Sequence, residues 1–148
     1  MANPFKNFLW SVITMKKTIP LLLAVMLIFT ACGKSPPSVT ETIKNHYTTI
    51  LKTNNTATIR SELAELEKLS NDTNLSNEEL MFAKYAYNMA YGIAKLSLSG
   101  KAISVFDFPE MELLNATVGG IASGELEISD EMVSESVKFL QKVEDFIK

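Results

Sequence analysis

"EELMFAKYAYNMAYGIAKLSL", Glu78 to Leu98, decides the fold. Leu80, Met81, Phe82, Ala83, Tyr85, Ala86, Tyr87, Met89, Ala90, Tyr91, Ile93, Ala94, Leu96 and Leu98 leave this stretch almost no polar face. Read at 3.6 residues per turn, it predicts a long helix that is apolar nearly all round. A helix of that kind buries itself by taking the centre of a bundle. Ser76-Asn77-Glu78-Glu79 has the spacing of a capping box at its start, and Gly100 is a natural stop. Its aromatic residues fall into two pairs, Phe82 with Tyr85 and Tyr87 with Tyr91, on different sides. Core packing is the plainer use for them. Because they cover more than one side, some hydroxyls are expected to face a groove or a partner, since tyrosine joins an apolar body to a polar tip.

The flanking sequence supplies the rest of the bundle. Upstream, Ser38-Val39-Thr40-Glu41 reads as another capping box, followed by Val39, Ile43, Tyr47, Ile50 and Leu51 at helical spacing. "NNTAT" interrupts, Ile59, Leu63, Leu66 and Leu69 form a second stripe, and Asn71 to Leu75 make a polar loop. Downstream, "KAISVF" (Lys101–Phe106) suits either an extended link or continued helix. Asp107-Phe108-Pro109-Glu110 predicts a restart with Asp as N-cap and Pro in the first turn. Met111, Leu114, Val118 and Ile121 continue it. Ser129-Asp130-Glu131 opens a last helix carrying Met132, Val133, Val137, Leu140, Val143, Phe146 and Ile147. With no strand alternation anywhere, the expectation is an all-α protein, a single small bundle of about five helices over residues 38–148.

A search for catalytic chemistry finds little. His46 is the only histidine, at the edge of the first stripe, and reads as a partly buried, hydrogen-bonded side chain. Glu41 precedes it by five residues, roughly 140° around the helix, so the two cannot share a face. Neither Glu-x-x-His nor His-Glu-x-x-His spacing occurs, and no metal site is expected. Gly-x-Ser-x-Gly and Ser-x-x-Lys are both missing. "GGIASGE" (Gly119–Glu125) lacks the Gly-Lys-Ser/Thr ending of a phosphate loop. Its small residues suit close approach by another helix, or a helix that frays before Ser129. Glu110, Glu112, Glu125 and Glu127 read as solvated surface. The expectation is a protein without catalytic residues or cofactor.

Ahead of the bundle the chain changes character. Lys16-Lys17 precede thirteen residues, Ile19 to Ala31, that are apolar except for Pro20 and Thr30, and the only cysteine, Cys32, follows. Crossing a bilayer takes about 20 apolar residues, so this run matches a secretory h-region instead. Phe29-Thr30-Ala31-Cys32-Gly33 resembles the lipobox of bacterial lipoproteins, with Phe29 where that family usually has Leu. The resemblance implies a diacylglycerol on the Cys32 sulfur and cleavage before Cys32. It further implies that Gly33, rather than Asp, permits sorting to an outer membrane. Residues 1–31 are then a signal segment. Met1 to Thr14 add a second apolar patch on the wrong side of the lysines, most simply because translation begins at Met15; otherwise they form a long leading region removed with the rest. Residues 32–37 become the anchor and a short linker, whose Pro36-Pro37 favours an extended conformation of about 3.1 Å per residue.

Without residues 1–31, eleven basic side chains face seventeen acidic ones, a net charge of −6. Nucleic acid is therefore not an expected partner, because phosphate contacts need a basic patch. No cysteine follows Cys32, so packing alone must hold the domain. The expected function is that of a membrane-anchored lipoprotein acting through an envelope protein partner, in an accessory, pilot-like or exclusion-type role, with its lipid in an outer membrane facing the periplasm. The alternative is a helical module that binds an apolar ligand or peptide in a Tyr- and Met-lined groove.

Overall fold

The computed structural model describes residues 36–104 and 106–148. Residues 1–31, expected to be a signal segment, Cys32 and residues 33–35 lie outside the described residues. Pro37–Lys148 forms one compact unit, and among the described residues it is built from five helices: α1 Val39–Lys52, α2 Thr56–Ser70, α3 Asn77–Leu98, α4 Met111–Ser123 and α5 Asp130–Ile147. The all-α expectation holds. The long apolar segment is the central helix, and every other helix packs on it.

Registers along α3 fix the directions. Asn88 donates to the Ser136 hydroxyl at 3.1 Å and Lys95 reaches Glu144 at 2.8 Å, so α5 runs parallel to α3. Thr40 shares a groove with Phe82 and Leu51 one with Ile93, making α1 parallel as well. The two intervening helices, α2 and α4, return antiparallel. Three N-caps, Ser38, Ser76 and Ser129, therefore gather at one end of the bundle. They accept from the backbone N–H of Glu41 at 3.1 Å, Glu79 at 3.3 Å and Met132 at 3.3 Å. Only the box at Ser76 is reciprocal, with the Ser76 N–H donating to Glu79 at 2.9 Å; Glu41 does not return the bond to Ser38. The Ser76 N–H and hydroxyl hold the Glu79 carboxyl below its ordinary range.

The core joins Ile43, Tyr47 and Ile50 of α1, Ile59 and Leu66 of α2, Val118 and Ile121 of α4, and Phe139 and Val143 of α5 around Phe82, Tyr85, Met89 and the alanines of α3. Gly92 lets α5 come close. A Cβ there would lie 2.6 Å from the Phe139 ring, which also meets Phe108 edge-on at 5.9 Å between centroids.

Three expectations are corrected. Asp107 does not cap α4; its carboxylate accepts from the Ser104 N–H at 2.7 Å, closing a turn in the link. The helix begins only at Met111, because Phe108 is drawn into the core and Pro109 sits in the turn behind it. On α5 the stripe is rotated from the expected one. Val137 is 52% exposed and Phe139 only 2%, since Ser136 and Phe139 are the residues that meet Asn88 and Gly92. Third, the close approach at "GGIASGE" comes from no other helix. Gly120 admits the chain's own returning Leu126, whose Cδ1 would stand 2.6 Å from an added Cβ, after Gly124 ends α4 at φ 76°. The "KAISVF" segment is an extended link rather than continued helix over its described residues.

Candidate functional site

The two aromatic pairs of α3 have different fates. Phe82 and Tyr85 face α1 and α4 and are core residues, 1% and 0% exposed, which removes them from any docking surface. The Tyr85 hydroxyl donates to the Leu114 carbonyl at 2.7 Å. Beside it, the Tyr47 hydroxyl donates to Asn115 Oδ1 at 2.5 Å. Burial pushes both phenols above their ordinary pKa, and Tyr47 is raised further by its neighbour Tyr85.

Tyr87 and Tyr91 lie on the other side of α3, half-buried and stacked, with centroids 5.6 Å apart and planes 14° from parallel. That stacking follows from i,i+4 spacing, and the next member of the same row is Lys95. Lys95 Nζ lies 4.7 Å from the centre of the Tyr91 ring and 2.8 Å from Glu144 Oε1. The hydrogen bond to Glu144, opposed by partial burial, holds this ammonium above its ordinary pKa. Burial raises the Tyr87 phenol, and the charges of Glu67 and Tyr91 push the same way against Lys95. The row Tyr87–Tyr91–Lys95–Glu144 thus bridges α3 to α5 along the surface.

At its upper end the row opens into a groove of about 390 Å³. Tyr91, Ala94, Lys95 and Leu98 of α3 form one wall, spaced i, i+3, i+4 and i+7. Arg60 and Leu63 of α2 form the second, and Ile147 of α5 closes the third. Ala94 and Leu63 make an apolar floor, Leu98 is 49% exposed at the lip, and Arg60 and Lys95 place two cations at the rim. Arg60 is the only arginine of the chain and makes no ion pair among the described residues.

Two further grooves frame this one. At the same end, Leu51, Ile93, Phe108 and Met111 line about 320 Å³ between α1, α3 and α4. Leu51, Ile103 and the 88% exposed Phe106 leave more apolar surface there. At the opposite end, about 270 Å³ is bounded by Thr40, Glu78, Glu79 and Glu127. That end holds residues 38–41, 71–79 and 124–131, which together carry eight acids and no lysine or arginine. The cause is the helix dipole: three N-termini meet there and favour Glu41, Glu78, Glu79, Asp130 and Glu131 in their first turns. The bundle is polarised: acidic where its N-caps gather, and, where α3 and α5 end, apolar with lysines matched by acids in the pairs Lys95–Glu144, Lys142–Glu110 and Lys148–Asp145.

His46 is part-exposed beside Glu62 of α2, Nδ1 to Oε2 at 2.5 Å, a partner sixteen residues away that one helix's spacing could not reveal. Among the described residues no three His, Cys, Asp or Glu side chains gather as a metal site. Glu110, expected on the open surface, reaches across to Lys142 at 2.8 Å. Sequence reasoning missed Arg60 and Lys95. The available signals were a solitary arginine on the α2 stripe and the Tyr-x-x-x-Lys spacing on α3. Comparison with protein families, with curated proteins and with solved structures finds no match.

Proposed function

We propose that this protein is a bacterial lipoprotein, tethered through acyl chains on Cys32, whose helical domain acts without catalysis through contacts with an envelope protein, in an accessory, pilot-like or exclusion-type role. The observation that carries the tether is the order in the sequence: a lysine pair, a largely apolar run of thirteen residues, Ile19 to Ala31, that ends in the small residues Thr30-Ala31, then the sole cysteine. Two or three buried acyl chains, at about 0.8 kcal/mol per CH₂, hold a protein on a membrane where one does so only marginally. No helix among the described residues is long and apolar enough to cross a membrane. Docking is supported by the Tyr87–Tyr91 row and the groove beside it, half-buried apolar surface with polar tips of the kind that interfaces favour. An outer membrane, with the domain facing the periplasm, is the location that Gly33 suggests.

The reading of a small-ligand module keeps one supporting feature, the size of that groove, which lies near the lower end of the ~300–1,000 Å³ range of such sites. Against it, Met89 and Tyr85 are spent in the core, and the groove is lined by a single tyrosine.

Cys32→Ser decides the anchoring half. It is expected to abolish metabolic labelling with a palmitate analogue and to move the protein from the membrane to the soluble fraction. Undiminished labelling of that variant would end the lipoprotein reading.

A further inference from the structure

We propose that the groove between α2, α3 and α5 receives an amphipathic peptide segment of a partner protein in which apolar side chains are flanked by carboxylates. This deepens the docking half of the proposed function and is independent of the lipid.

Charge and shape together select that occupant. The groove floor is apolar, and its two rim cations stand on different helices, Arg60 on α2 and Lys95 on α3; with Lys95 paired to Glu144, the uncompensated positive charge that a bound segment meets is that of Arg60. Arg60 presents a planar fork of donors suited to a carboxylate. It is exposed and has no ion-pair partner among the described residues. Lys95 is occupied by Glu144, but both side chains remain about a third exposed, at 29% and 36%. A pair that open to water contributes little, and an incoming carboxylate can compete with it. From Tyr91 to Leu98 the wall runs roughly 10 Å along the helix axis, enough for two apolar side chains at i and i+4. Leu98 at the lip and Tyr91 beneath Lys95 supply the surfaces they would cover. The groove at the N-cap end has the opposite character: Glu78, Glu79 and Glu127 surround it, and it repels the same segment. Only one end of the bundle suits an acidic amphipathic ligand, and it lies opposite the end at which the chain enters the fold at Ser38.

The test uses the full chain in zwitterionic lipid nanodiscs, with empty nanodiscs as control. Two fluorescein-labelled synthetic helices serve as probes, sharing a leucine face at i, i+4 spacing and flanked by Glu in one and Lys in the other. Fluorescence anisotropy is expected to show the Glu probe binding roughly ten-fold tighter than the Lys probe, and less tightly as salt is raised. Arg60→Glu should remove that preference. Leu98→Asp, at an exposed lip position checked for an unchanged urea midpoint, should remove binding of both probes. Glu78→Lys, at the opposite end, should leave binding unchanged. Equal affinity for the two probes, no binding of either, or binding indifferent to Arg60→Glu and Leu98→Asp would overturn the proposal. So would a fatty acid retained in native mass spectra and displaced by Leu98→Asp, or a dimer of this chain that the same variant dissolves. Failure of the chain to co-purify with the discs, with probe binding intact, would instead count against the lipid anchor alone.

Discussion

The two sides of α3 use the same residue type in opposite ways. Toward α1 and α4, Tyr85 is fully buried and the hydroxyls of Tyr85 and Tyr47 find acceptors inside the protein, at the Leu114 carbonyl and the Asn115 side chain. Toward α2 and α5, Tyr87 and Tyr91 stack on each other, carry Lys95 above them and stop half-way out of solvent. The first side is a closed polar-in-apolar core, costly to disturb because each removed group leaves a cavity or an unpaired atom. The second is a rim held by a stacked pair, one cation over a ring and one part-exposed ion pair, each worth about 1 kcal/mol or less. A core face stabilises the fold; a rim face is free to exchange its contacts for a partner's.

The widest separation should appear on truncation. Tyr85→Ala is expected to lower unfolding free energy by about 3–5 kcal/mol, the range for emptying a large buried aromatic site. Tyr91→Ala should cost about 1 kcal/mol, since its ring is only half removed from water and its stacking partner stays in place. Urea midpoints of both variants, with unchanged m-values, would measure the gap. Equal losses would mean that the Tyr91 row belongs to the core, and the groove would lose its standing as a docking surface.

A finer cut replaces only the hydroxyl. Tyr47→Phe keeps the ring and leaves Asn115 Oδ1 without its donor, a loss of about 1 kcal/mol at neutral pH. It should also change the alkaline limb. Burial and then the neighbouring Tyr85 raise the Tyr47 phenol above its ordinary value of 10.0, so the folded state holds this proton more tightly than the unfolded chain does. Stability from that difference is complete below pH 10 and falls as pH climbs above it. Urea midpoints between pH 8 and 12 should decline for the native protein and decline less steeply for Tyr47→Phe. Parallel curves would show that the buried phenol is not what limits alkaline stability.

How far this division could be read in advance follows from what each residue's neighbours are. The existence of the five helices was legible because Ser caps and apolar stripes are local signals, readable within a turn or two of chain. The centrality of α3 was legible too, since only a surrounded helix can be apolar nearly all round. That same property hid the division of its aromatics: with no polar face to orient the helix, Tyr85 and Tyr87 look equally fit for the core, and only the positions of α1, α2, α4 and α5 separate them. The start of α4 was misplaced because Asp107 had two uses, capping a helix or closing a turn, and the pull of Phe108 into the core chose the second. On α5, Val137 was favoured over Phe139 because hydropathy cannot see Gly92, the space that Phe139 fills. The rim cations Arg60 and Lys95 come from two helices, and no spacing within either one brings them together.

Gly92 offers the smallest of these tests and one with a choice of sign. In a helix interior, Gly→Ala alone favours folding by up to about 1 kcal/mol. At Gly119 of α4 nothing lies within 4 Å of the added methyl, and Gly119→Ala should deliver that gain. At Gly92 the methyl would sit 2.6 Å from Phe139 Cε1 and 3.2 Å from Cδ1. The ring cannot swing aside freely, because Phe139 is buried and meets Phe108 edge-on. Overpacking of a tight core contact costs about 1–3 kcal/mol, which outweighs the helical gain and leaves Gly92→Ala less stable than the native protein by about 1 kcal/mol. Opposite shifts of the two urea midpoints would place a close-packed contact between α3 and α5 just below the open groove, so that the half-buried rim is confined to the end where the two helices finish. Matching gains would mean that α5 can move off α3, and the whole α5-facing side, not the groove alone, would then be the adaptable surface.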